Sequence, residues 1–159
     1  MSTAKPSTQT AAARRSVEAE VRELVARIAP EHQRLVGAMR RRLQKRLPTA
    51  HEVVYEYRSW FVISYSPNEH GYDGVLAIRG SADAVALHFN QARQLPDPEK
   101  LLRGSAKQTR WIQIESATTL ARPAVAHLMD EAIARSRVPF ARTGRGPLVM
   151  RPASAKRRR

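Results

Sequence analysis

The sequence predicts an α+β domain in which helices pack on one face of an antiparallel five-stranded sheet, with flexible basic tails at both ends. Three observations carry this. Apolar residues recur at spacings of three and four between Ser16 and Arg46, alternate with period two between Glu52 and Glu115, and return to helical spacing after Pro123. The links between successive strands are short, and parallel neighbours would need crossovers of a dozen or more residues. Helices, a run of strands and a final helix is the order of an α+β domain. The boundaries follow: a basic N-terminal tail over 1–15, the domain over 16–137, and a basic, mostly disordered C-terminal tail over 138–159.

Each element has its own signature. Ser16 suits a helix cap, and Val17, Val21, Leu24, Val25 and Ile28 form a stripe behind it. Pro30 interrupts that pattern and opens a second helix to about Arg46, with Leu35, Val36, Met39, Leu43 and Leu47 on its buried side. Pro48 ends it. The β-branched and aromatic segments Glu52 to Arg58, Trp60 to Ser66, Gly74 to Arg79, Ala84 to Phe89 and Arg110 to Glu115 read as strands. Pro67-Asn68, Gly71, Gly74 and Gly80-Ser81-Ala82-Asp83 supply the turns. Pro123 opens the last helix, to about Arg135, which buries Val125, Leu128, Met129, Ala132 and Ile133. Beyond Arg137 only Leu148, Val149 and Met150 suggest a piece, short and extended, that docks on the domain.

Composition narrows the function classes. The 159 residues are enough for one domain with a sizeable core, and the absence of cysteine excludes disulfides, thiolate metal sites and cysteine nucleophiles. No run of about 18 apolar residues is present to span a bilayer, and no secretory apolar core precedes residue 15, so a cytoplasmic protein without membrane partners is expected. The formal net charge is +14, and its placement matters. Residues 1–15 hold three basic side chains and 138–159 hold seven, neither with an acid, leaving 18 basic residues against all 14 acids between them. Acid-free arms attract nucleic acid or another polyanion through counterion release. The final Lys156, Arg157, Arg158 and Arg159, with Arg40, Arg41 and Arg42 on the second helix, are the expected contacts.

The most distinctive text is ALHFNQARQLPDPEKLLRGSAKQTRWIQIES, from Ala86 to Ser116. A strand leads into Leu95-Pro96-Asp97-Pro98, expected as a rigid turn followed by a single helical turn capped by Asp97. Then comes Arg103-Gly104-Ser105-Ala106-Lys107-Gln108-Thr109-Arg110 before the next strand. This loop lacks the spacing of a phosphate loop and precedes a strand where a P-loop precedes a helix, so no nucleotide site is read from it. Backbone N–H groups at Gly104 and Ser105, flanked by Arg103, Lys107 and Arg110, form a candidate cradle for an anionic group or a protein partner.

That text, with LARPAVAHLMDEAI after it, resembles the YdhG-like family, a bacterial domain of unknown function, over roughly residues 30–137. The resemblance implies a fold similar to frataxin, and some members of the wider family are linked to iron delivery. Frataxin-like iron binding uses an acidic ridge on the first helix and the edge of the first strand. Here the matching helix has Glu31 as its sole acid, while Glu18, Glu20 and Glu23 lie on the preceding helix and Glu52 and Glu56 on the first strand. Those five carboxylates are the metal candidates under this alternative, with iron the one cofactor implied; otherwise none is expected.

No catalytic arrangement emerges. His32, His51, His70, His88 and His127 are scattered without ligand spacing, and no Ser-His-Asp set can be assembled. A non-enzymatic binding module is therefore the expectation. Tyr55, Tyr57, Trp60, Phe61, Tyr65, Phe89 and Trp111 fall on or beside strands with Arg58, Arg79 and Arg110 nearby, as in base-stacking sheets. Alternation puts Trp60, Val62 and Ser64 on one face and Phe61, Ile63 and Tyr65 on the other, so one of the two is a candidate wet aromatic face.

Overall fold

The computed structural model describes residues 9–152, so Lys156, Arg157, Arg158 and Arg159 lie outside the described residues, as does most of the N-terminal tail. Three helices, α1 (Ala11–Val25), α2 (Pro30–Arg46) and α3 (Pro123–Ala134), accompany six strands. The strands are β1 (His51–Glu56), β2 (Trp60–Ser66), β3 (Leu76–Ser81), β4 (Val85–Phe89), β5 (Arg110–Gln113) and β6 (Leu148–Pro152). The sheet order is β5-β4-β3-β2-β1-β6. The first five strands form antiparallel neighbours, as expected.

The expectation of a five-stranded antiparallel sheet is corrected by β6, which pairs parallel to β1 and makes the sheet six-stranded and mixed. The reason is the route of the chain. After α3, residues 135–147 pass the end of the sheet, where Thr49 Oγ1 donates to Ala141 O (2.6 Å) and Gly146 N–H to Pro48 O (3.1 Å). The chain therefore arrives beside the start of β1 and can run only alongside it. Leu148 is fully buried and Ala141 is buried, so the packed body continues past residue 137. At the other end α1 begins at Ala11, and Thr10 rather than Ser16 caps it, accepting from Ala13 N–H at 3.0 Å.

Most residues of the predicted helical stripes are buried, while Val17, Val25 and Ile133 are partly buried and pack against the core. Leu35, Val36, Met39, Leu43 and Leu47 from α2 and the end of its run, and Val125, Leu128, Met129 and Ala132 from α3, are all buried. They meet Phe61, Ile63, Tyr65, Leu76, Ile78, Leu87 and Phe89, which point to the same face of the sheet. Burying this apolar surface is the main stabilising contribution, at roughly 25 cal/mol per Å². The segment after Pro96 is a plain turn rather than a helical turn: Asp97 accepts from the N–H groups of Leu101 (2.8 Å) and Leu102 (2.9 Å), and Lys100 takes a φ of 54°.

Candidate nucleic-acid interface

The sheet has a second face, which no helix covers. The pairing registers place on it His51, Val53 and Tyr55 of β1, Trp60, Val62, Ser64 and Ser66 of β2, and Ala77, Arg79 and Ser81 of β3. Ala86 and His88 of β4, Trp111 and Gln113 of β5, and Val149 and Arg151 of β6 complete it. None of these residues is acidic. Over β1 and the middle of the sheet the face is closed: Val53, Tyr55, Ser64, Ser66 and Ala77 are all buried, and a Cβ on Gly74 would lie 2.4 Å from Ser64 Oγ. Toward the Trp60 end of β2 and along the β4–β5 edge, Trp60, His88 and Trp111 are half-buried and Arg79 and Gln113 exposed.

Sequence alternation puts Trp60, Val62 and Ser64 together, and it is this set that faces away from the helices while Phe61, Ile63 and Tyr65 enter the core. A two-residue turn brings Tyr57 back against Trp60, with Tyr57 N–H donating to Trp60 O at 2.9 Å. Their rings stack at a centroid distance of 4.7 Å and an interplanar angle of 12°. Arg79 lies on β3 diagonally across from Trp60, with its guanidinium carbon 5.0 Å from the indole centroid. A cation held against an aromatic face in this way gains from the ring quadrupole. Beside this stack Arg79, Ser81, Ala86, His88, Trp111 and Gln113 line a groove of about 280 Å³.

The loop singled out in the sequence reaches the edge of this same face. Arg103 pairs with Trp111 through both backbone groups, N–H to O at 2.8 Å and O to N–H at 3.0 Å. Gly104, at a φ of 111°, sits where a Cβ would meet Trp111 Nε1 at 3.2 Å. Arg103, Ser105 and Lys107 are exposed there. Arg110 is turned back into the loop, donating to the carbonyls of Ala106 and Thr109, so it braces the loop as well as charging it.

The other candidates fall elsewhere. Arg41 and Arg42 are exposed on α2, in the helix layer and away from Trp60. Arg40 is occupied: its Nε and Nη2 bind Glu52 at 2.9 and 3.0 Å, and its Nη1 and Nη2 bind Glu18 at 3.2 and 3.0 Å. Glu52 also accepts from Tyr65 Oη (2.6 Å) and Gln44 Nε2 (3.0 Å). Burial works to raise the Glu52 pKa, but Arg40 first, then Tyr65 and Gln44, outweigh it and hold the carboxyl below its ordinary value. Glu56 pairs with Arg27 at 2.7 Å, and Glu20 and Glu23 are exposed. Among the described residues no group of three or more His, Asp or Glu side chains is placed to hold a metal ion. Nor is any helix among them long and apolar enough to cross a membrane.

Tyr57 stands among the aromatics named from the sequence, but its stacking on Trp60 and the joining of the loop to Trp111 are visible only in the fold. The two-residue turn is a local signal pointing toward the first, whereas the Arg103–Trp111 pairing spans a loop whose sequence has no period. No protein-family model, curated protein or solved structure matches this chain.

Proposed function

We propose that this protein is a non-enzymatic module that binds single-stranded nucleic acid on the open face of its sheet. The observation that carries the reading is an acid-free sheet face on which the Trp60 ring meets both Tyr57 and Arg79. Base stacking on aromatic rings tolerates any sequence, since every base has a π face, and nearby arginines neutralise the phosphates. Trp111 and the groove beside it give a second stacking position, and Arg103 and Lys107 at the β5 edge extend the positive track. Basic residues outside this face add affinity of the non-specific kind that salt removes.

The test is fluorescence anisotropy of the full chain with labelled twelve-residue oligo-dT and oligo-U, and with a duplex of the same length. The reading requires that Trp60→Ala, Arg79→Ala and Trp111→Ala each weaken single-strand binding, while Arg41→Ala with Arg42→Ala changes it little. Equal binding by all of these variants would remove the open face as the site and leave only diffuse charge attraction.

A further inference from the structure

A second basic site lies on the helix side of the sheet and is independent of the open face. The loop Arg142-Thr143-Gly144-Arg145-Gly146-Pro147 crosses the start of β1 before β6 begins. It is held firmly, with Gly146 N–H donating to Pro48 O at 3.1 Å and Glu52 N–H to Pro147 O at 2.8 Å. A Cβ on Gly146 would lie 1.7 Å from Ala50 O, so only glycine allows so close an approach. Gly144, at a φ of 89°, makes the bend that precedes Arg145. The loop and the first turn of α1 thus border one cleft of about 190 Å³, lined by Arg14, Arg145, Gln44, Glu52 and Tyr65.

Charge in this cleft does not balance. Arg40 engages both carboxylates, Glu18 and Glu52. Arg14, whose side chain is only 12% exposed, is left with one hydrogen bond to Gly146 O (2.9 Å) and a 3.8 Å approach to Glu52. Burial and then the charge of Arg145 lower its pKa, against the pull of Glu52. Arg14, Arg40 and Arg145 therefore stand against two acids. Glu52 does not compete for the opening, since its oxygens are taken by Arg40, Gln44 and Tyr65. A partly buried guanidinium whose nearest carboxylate is claimed, beside a second arginine on a fixed glycine loop, is an arrangement that an oxyanion completes.

We propose that the cleft between Arg14 and Arg145 binds a small oxyanion, namely phosphate or the phosphate group of a phosphomonoester. The cleft of about 190 Å³ is large enough for a phosphate group together with bridging water.

The probe is inorganic phosphate titrated into the isotope-labelled full chain at constant ionic strength, followed by NMR on the amides of Gly144 and Gly146 and on Arg14 Nε, with chloride as the control titrant. Saturable shifts at these groups, absent with chloride, are expected. Arg145→Ala should weaken binding roughly tenfold, the loss of one charge-assisted contact, whereas Arg79→Ala should leave it unchanged. Because Arg145 is exposed, its replacement leaves β6 in place, which the Leu148 amide reports directly. Absence of saturation up to tens of millimolar phosphate, or an Arg145→Ala variant that titrates like the parent, overturns the proposal. A parallel titration with glycerol 3-phosphate identifies the source: tighter binding than phosphate assigns a phosphomonoester, and weaker binding assigns the free ion.

Discussion

Arg40 and Glu52 form a two-pronged ion pair between α2 and β1, with Nε to Oε2 at 2.9 Å and Nη2 to Oε1 at 3.0 Å, and the Glu52 side chain is only 3% exposed. It ties the helix layer to the sheet. Arg40→Ala strands a buried carboxylate, and the expected cost is about 3 to 5 kcal/mol. Tyr65→Phe removes one hydrogen bond to that carboxylate and should cost about 1.5 to 3 kcal/mol. Urea unfolding of both variants checks the order, which is Arg40→Ala below Tyr65→Phe below the parent.

The same pair sets the acid limb of stability. The folded pKa of Glu52 lies below its ordinary value of 4.5, so its contribution is complete above that value and is lost as pH falls through the folded one. Glu52→Gln should be less stable than the parent at pH 7 and show a shallower fall below pH 4.5. Thermal unfolding across pH 3 to 7 measures both, and parallel curves for the two proteins would contradict this assignment.

What the sequence disclosed depended on whether the information was local. The Pro30–Arg46 helix was legible to the residue because prolines and a stripe of Leu, Val and Met mark it within one window. The wet aromatic face was legible as a pair of alternatives, since alternation groups Trp60 with Val62 and Ser64 but cannot say which face the helices take. β6 was legible only as a short extended piece at Leu148 to Met150, because three apolar residues followed by Arg-Pro have no strand period and nothing local names its partner β1, which lies about a hundred residues earlier. Arg40 shows the same limit. In sequence it is one of three consecutive arginines, and only the fold separates it from exposed Arg41 and Arg42 by placing two carboxylates against it.

Two glycine-to-alanine changes should act in opposite directions. Gly37 lies inside α2, and a Cβ there meets nothing nearer than Arg41 Nη1 at 3.6 Å, so alanine should stabilise by about 0.5 to 1 kcal/mol. Gly80 lies opposite Phe61 in the β2–β3 ladder, and a Cβ there would fall 2.4 Å from the Phe61 ring. That ring is 1% exposed and cannot swing away, so Gly80→Ala should cost about 1 to 3 kcal/mol. Melting temperatures of the two variants, moving up and down respectively, are the check.

Ending the chain at Arg137 should damage the fold rather than trim a tail. It removes β6, exposes the outer edge of β1, and empties the site of Leu148, whose burial alone is worth about 2 to 5 kcal/mol. Reduced amide protection along β1 and a lower urea midpoint are expected for the shortened chain. Ending it after Pro152 keeps β6 and its pairing with β1.

The stack on the open face separates stacking from charge. Trp60→Ala removes a ring from the Tyr57–Trp60–Arg79 series and should weaken single-strand binding by about 1 to 3 kcal/mol at any salt concentration. Arg79→Ala should also lower the slope of log affinity against log salt by roughly 0.7, the value for one phosphate contact on a single strand. Arg79→Lys keeps the charge and loses the flat guanidinium against the indole, so it should retain the parent's slope with reduced affinity. Anisotropy titrations at several potassium chloride concentrations give both quantities for each variant. An Arg79→Lys protein with the parent's affinity and slope would assign Arg79 a purely electrostatic part, and a Trp60→Ala protein with full affinity would place the strand somewhere other than this face.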